Sequence, residues 1–300
     1  MKKQLMLVLT LLVLLLAACG NEKNPNEKEN SARVDDTVTQ EKKEQRLIAT
    51  TVASAEIMAK LDYPLVGIPT TSKELPKQYK DVVEVGSPMG PDLEIMRTLK
   101  PDLVLSTSTL QTDLEDGLTA AKLKTNFLDF RSIASMEKEI KTLGEQLNRQ
   151  SEAEQLTQSI DQKVAKAQTK VIQDKKPKVL ILMGIPGSYL VVTEKAYIGD
   201  LVRLAGGENV ITGQEQEYLA SNTEFLQQAN PDIILRAAHG MPKEVVEMFD
   251  EEFKTNDNWK HFNAVKNNRV YDLDENLFGM TGSLNAPTAL TKLVELFYEQ

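Results

Sequence analysis

From Arg46 onward the chain alternates short apolar runs with longer stretches whose apolar residues recur every three or four positions. The runs Arg46–Ala49, Leu65–Gly67, Val82–Val85, Leu103–Leu105 and Asn126–Leu128 are predicted to be buried strands, with helices between them. A second series follows at Lys178–Met183, Tyr189–Val192, Val210–Ile211, Ile233–Leu235 and Val270–Leu273. Strands alternating with helices point to an α/β fold with largely parallel sheets, here two Rossmann-like lobes with a ligand cleft between them. Between the two series, residues 133–173 contain no Pro, and from Leu156 the apolar positions Ile160, Val164, Ala167 and Val171 keep helical spacing. This predicts one long α-helix over residues 151–175 that joins an N-terminal lobe (46–150) to a C-terminal lobe (176–300) and allows only small hinge motion.

The lobes share a frame. Glu94, six residues, Pro101-Asp102 and three aliphatic residues match Glu224, six residues, Pro231-Asp232 and three aliphatic residues. A helix that stops at a Pro and feeds a strand explains both, because Pro cannot continue a helix and forces its predecessor extended. Any helix-to-strand turn can look this way, but repetition in two similar lobes favours duplication.

The amino terminus reads differently. Lys2 and Lys3 precede an apolar stretch from Leu5 to Leu16, too short for a comfortable bilayer span, and the small residues Ala17-Ala18 lead to Cys19, the chain's single Cys. Residues 1–18 are therefore expected to be a signal peptide. Leu16-Ala17-Ala18-Cys19 resembles a lipobox, in which the thiol receives diacylglycerol. A plain secretory signal with a leftover thiol would make the position of that Cys a coincidence. Residues 19–45 hold no aromatic side chain and mix Asn, Glu, Lys and Asp, as a disordered tether does, although a polar helix near residues 37–45 is the competing reading.

Composition narrows the function. The 300 residues carry 35 Lys+Arg against 44 Asp+Glu, a formal charge of −9, which disfavours nucleic acid as a partner. Two His and one Cys cannot build a Cys/His zinc site. No phosphate-cradling glycine loop and no nucleophile elbow occurs, so nucleotide-driven chemistry and that class of hydrolase lose their support. An enzyme using His239 as general base needs a nucleophile partner that the sequence does not offer, and the other imidazole, His261, sits in a polar stretch. We expect no catalytic activity.

Loops leaving the carboxyl ends of parallel strands line the cleft in folds of this kind. In the N-terminal lobe one such loop is Gly86-Ser87-Pro88-Met89-Gly90-Pro91, and in the C-terminal lobe another is Arg236-Ala237-Ala238-His239-Gly240-Met241-Pro242. A loop Met is more often a gap-filler and a loop His a plain polar contact. Together, thioether sulfur and imidazole nitrogen are the axial pair that holds low-spin haem iron from both faces. The propionates would then need donors, and residues 49–54 at the end of the first strand offer amides and hydroxyls, with Ser72 and Lys73 in the next loop adding a hydrogen bond and a charge. Lys73 reads equally well as a solvated lysine.

On these residues, and on the stretches 177–211, Ser221–Glu224, 230–242 and 257–273, the chain resembles bacterial substrate-binding lipoproteins of ABC importers. It is most similar to the haem-carrying members of their helical-backbone class, which also includes cobalamin and siderophore receptors. The resemblance implies axial ligation of haem iron by Met89 and His239, and propionate contacts at Thr51, Val52, Ala53, Ser72 and Lys73. It also implies lipidation at Cys19 and docking of Glu94 and Glu224 on the two ABC permease subunits. The two Glu have a competing role as negative charges at helix amino termini. The implied protein is a monomer, lipid-anchored to the cell membrane on its extracytoplasmic face, that takes haem from a surface haem-donor protein. The alternative within the class is a hydroxamate siderophore receptor in which Arg236 and Tyr189 contact the iron complex.

Overall fold

The computed structural model describes residues 44–172, 174–221, 226 and 229–299; Cys19, Glu224 and most of the expected tether lie outside these. Of the tether only residues 44 and 45 are described, and Gln45 N–H donates to Tyr63 Oη at 2.7 Å, so the packed fold begins before Arg46.

The first lobe is built on β1 (Leu47–Ala49), β2 (Gly67–Ile68), β3 (Val83–Glu84), β6 (Leu103–Thr107) and β7 (Thr125–Leu128), a wholly parallel sheet of order β3-β2-β1-β6-β7. Period-two alternation sorts its side chains: Leu47, Ala49 and Leu105 face one hydrophobic cluster, while Ile48 and Val104 face another. β3 was expected to be buried and is an exposed edge instead. It needs no second cover because it pairs only with β2.

The second sheet comprises β8 (Lys178–Ile185), β9 (Ser188–Val192), β10 (Glu208–Asn209), β11 (Tyr218–Ala220), β12 (Ile233–Ala238) and β13 (Val270–Asp272). Here the expectation of a largely parallel sheet needs correction. β8 pairs in parallel with β10 and β12, and β12 with β13, but β9 turns back on β8, and β11 pairs antiparallel with β9. The reversal occurs at Gly187, whose φ of +83° a glycine adopts without steric cost. The strand expected at Val210–Ile211 lies two residues earlier, at Glu208–Asn209.

The duplication shows in the backbone. Arg46 N–H donates to Asp102 Oδ2 at 2.7 Å and Asp102 N–H returns a bond to Arg46 O at 2.8 Å. In the other lobe Lys178 N–H donates to Asp232 Oδ2 at 2.9 Å and Asp232 N–H to Lys178 O at 2.8 Å. Each Pro-Asp thus pins the start of its lobe's first strand, and each Pro follows a residue of positive φ, Lys100 at +47° and Asn230 at +39°.

The expected single helix over 151–175 is replaced by two consecutive helices, α4 (Ile133–Leu147) and α5 (Gln150–Gln168). Asn148 stops α4 in the left-handed conformation at φ +56°, where Asn is among the best tolerated residues. The helices then pack so closely that a Cβ on Gly144 would lie 2.5 Å from that of Ala153. α5 ends short of residue 175 because Ala167 is its last buried residue, and the exposed positions beyond it have no face to pack. One cluster runs from Leu47 and Leu105 through Ile140, Leu143 and Ile160 to Val179, Ile181 and Leu235, so the helices tie both sheets to a common core. Direct bonds between the lobes add to it: Ile133 N–H donates to Asp200 Oδ2 at 3.1 Å, and Gly282 N–H to Phe130 O at 2.9 Å.

Across this helix pair Glu137 on α4 meets Asp161 on α5. Burial, then the Asp161 charge, push the Glu137 carboxyl up to about 7, and Lys141 offsets part of the rise. A carboxyl raised in the folded state favours folding below its unfolded value, and that contribution is lost as pH rises through about 7. Glu137→Gln is therefore expected to melt at a higher temperature than the unsubstituted protein at pH 8, with the gain shrinking towards pH 5; thermal melts at the two pH values check this.

Candidate functional site

Three loops leave the carboxyl ends of β1, β2 and β3. The first enters α1 (Val52–Lys60) through Thr51, an extended residue at φ −129° and ψ 155° whose hydroxyl accepts from Ser54 N–H while Ser54 Oγ accepts from Thr51 N–H. This capping box occupies the hydroxyls expected to be free, and Thr50 Oγ1 likewise donates to Leu105 O at 3.2 Å. The amides of Val52 and Ala53 remain. They are first-turn N–H groups without an acceptor among the described residues, at the positive end of the helix dipole.

The second loop carries Ser72 and Lys73, both exposed, and is tied to the third by Thr70 N–H donating to Gly86 O at 2.9 Å. The Lys73 ammonium also acts on the Glu56 carboxyl of α1. The third loop is a small hairpin, β4 (Gly86–Ser87) paired antiparallel with β5 (Gly90–Pro91), with Pro88 and Met89 at its turn. Gly86 has φ +94°, and a Cβ there would sit 2.8 Å from Asp92 N and 3.0 Å from Gly90 O, so only glycine closes the hairpin. Asp92 then caps α2 (Leu93–Thr98), accepting from the amides of Glu94 and Ile95 at 3.0 Å each. Met89 is left 65% exposed, a thioether held clear of the lobe's core. The structure thus brings Thr51, Val52, Ala53, Ser72, Lys73 and Met89 onto adjacent loops at one edge of the first lobe.

In the second lobe β12 runs further than its apolar run suggested. Arg236–Ala238 belong to the strand, paired through Ala238 with Gly184, and His239 follows directly with its N–H on Gly184 O at 2.8 Å. Two left-handed residues, Gly240 at φ +72° and Met241 at +45°, then turn the chain into α7 (Pro242–Thr255), and Glu275 accepts from Gly240 N–H at 3.3 Å. The half-buried imidazole of His239 has no hydrogen-bond partner among the described residues and is free to ligate.

The two residues of the siderophore alternative are committed elsewhere. Arg236 is buried, donates to both Asp272 oxygens at 2.7 and 2.6 Å, pairs with Asp250 at 2.9 Å, and stacks on Phe249 and Phe253. Tyr189 donates to Glu252 at 3.3 Å, and burial, then the Glu252 charge, push its hydroxyl up to about 12. Glu94 sits in the first turn of α2 and reaches Arg97 at 3.6 Å, yet its side chain is largely exposed. Among the described residues no three His, Cys, Asp or Glu side chains come together to hold a bare metal ion.

Chemically, the loops offer a soft sulfur, a neutral-capable nitrogen, two amide donors and one lysine. This set suits a flat metal macrocycle with anionic substituents. Glu56, which sequence reasoning left among ordinary helix residues, belongs to the same neighbourhood.

Comparison with known proteins agrees with this architecture. The periplasmic binding protein family matches residues 47–277. The high-affinity heme uptake system protein IsdE of Staphylococcus aureus (strain Newman) is 52% identical over 255 residues, covering 85% of this chain and 87% of that protein. The crystal structure of S. aureus IsdE complexed with heme superposes with a TM-score of 0.81, covering 85% of this chain and 99% of that chain. An ABC transporter substrate-binding protein from Listeria monocytogenes EGD-e is 67% identical, with a TM-score of 0.82, covering 86% of this chain and 100% of that one. The chain belongs to the periplasmic binding protein family.

Proposed function

We propose that this protein is the substrate-binding component of an ABC importer, is not an enzyme, and carries haem between its lobes with Met89 and His239 as the two axial ligands. The observation that carries the reading is the pairing of 52% identity to a relative solved with heme with two ligand-type side chains left unengaged at strand ends of opposite lobes. The free amides of Val52 and Ala53, with Ser72 and Lys73, receive the propionates, because a helix amino terminus and an ammonium both favour carboxylate. A diacylglycerol on Cys19 anchors the chain to the outer face of the cytoplasmic membrane, stably because it has two acyl chains. Haem arrives from a surface donor protein and leaves to the permease, whose subunits dock on Glu94 and Glu224.

The reading is tested by titrating haem into the purified protein with and without excess ferric hydroxamate siderophore. One haem per chain, a six-coordinate low-spin Soret spectrum and no displacement by the siderophore are expected. Failure to load haem would return first place to the siderophore alternative.

A further inference from the structure

The solvent-facing side of α1 runs Val52, Glu56, Ala59 and Lys60. Past the first turn it lines a cavity of about 470 Å³, walled also by residues 74–78 and by Leu284 and Asn285 of the second lobe. Helical spacing of four places Glu56 one turn behind Val52, whose amide is one of the two free donors. The Glu56 carboxyl makes no hydrogen bond or ion pair with another described residue. It is half-buried, and of the two lysines acting on it Lys73 exerts the larger pull, Lys60 the smaller. Lys73 immediately precedes Glu74 of the cavity wall and sits on the loop tied to the Met89 hairpin.

Resting on the haem reading above, we propose that Glu56 is a positioning residue for Lys73, drawing its ammonium towards α1 and competing with a haem propionate for it, and that this competition sets the rate of haem release. One cation here serves two carboxylates. When Glu56 is ionised it shares Lys73; when it is neutral the propionate has Lys73 to itself and haem leaves more slowly. The groups facing Glu56 are Lys60 on its own helix and Lys73, Glu74 and Lys77 on the loop, while Leu284 and Asn285 across the cavity carry no charge. Burial is the largest influence on Glu56 and raises its carboxyl, so the ionised fraction grows as pH increases.

The test follows haem transfer from the loaded full-length protein to excess apomyoglobin between pH 5 and pH 8, for the unsubstituted protein, Glu56→Gln, Lys73→Ala and the double variant. His239 and the propionates titrate in every variant and cancel in the ratio of rates. Glu56→Gln is expected to keep the Soret spectrum and to release haem roughly fivefold more slowly at pH 8, with the difference closing towards pH 5. In the Lys73→Ala background the same substitution changes the rate by less than about twofold, because its route is gone. Equal release rates for Glu56→Gln and the unsubstituted protein at every pH, with a normal Soret band, overturn this inference alone. An undiminished effect in the Lys73→Ala background also overturns it. A protein that takes up no haem overturns it together with the haem reading.

Discussion

His239→Ala is expected to weaken haem binding by about 100-fold or more, since losing mere outer-shell partners of a metal ligand already costs about 10–100-fold. Iron then loses its imidazole and the low-spin spectrum collapses, while added free imidazole restores it by entering the vacated position. The fold should be indifferent to the change. The ring is half-buried and has no hydrogen-bond partner among the described residues, so its removal leaves no polar group stranded. A stability change of about 1 kcal/mol or less is expected. Titration of haem into the variant, with a thermal melt of the haem-free protein, checks both parts.

Arg236→Ala is expected to do the opposite, harming the fold more than the ligand site. The buried guanidinium ties β12 to β13 through Asp272 and to α7 through Asp250, and it lies over two aromatic rings. Removing it leaves two carboxylates facing each other without their cation. Breaking a fully buried pair costs about 3–5 kcal/mol, and because both Asp partners keep contact with solvent we expect the lower end, about 3 kcal/mol. For a chain of this size that lowers the melting temperature by roughly 6–12 °C. Arg236→Lys should recover little of it, since an ammonium reproduces neither the bidentate bond nor the stacking. Where the variants stay folded, their haem spectrum is expected to match that of the unsubstituted protein. A normal melt with an altered ligand spectrum would mean that Arg236 faces the ligand after all.

Arg236 also illustrates what the sequence could not tell. A charged residue closing an apolar run looks like the first residue of a loop, and its partners Asp250, Phe253 and Asp272 are distant in sequence, so only the folded chain shows that it is buried in a strand. The strands themselves were legible because burial on both faces demands continuous apolar runs, as in Val179–Met183. β11 was not, since Tyr218–Ala220 is short, has no periodic signal and is specified by pairing with β9. The break at Asn148 did carry a signal, an Asn between two helical patterns, but a left-handed cap and a surface helix position share the same residue type. In the candidate site the loop tips were readable, because Gly and Pro flanking Met89 and His239 mark turns after strands. Two features were hidden: the capping box that leaves amides rather than hydroxyls at the start of α1, and the closeness of Glu56 to Lys73. Both depend on where side chains point.

The clamp is tested most directly by iron K-edge X-ray absorption fine structure on the haem-loaded protein and on Met89→Ala. A single sulfur neighbour in the iron's inner shell, present in the first and absent from the second, is the predicted result. A shell of nitrogen and oxygen alone in the unsubstituted protein, or a sulfur neighbour that survives Met89→Ala, would contradict the assignment of Met89 as the axial ligand from the first lobe.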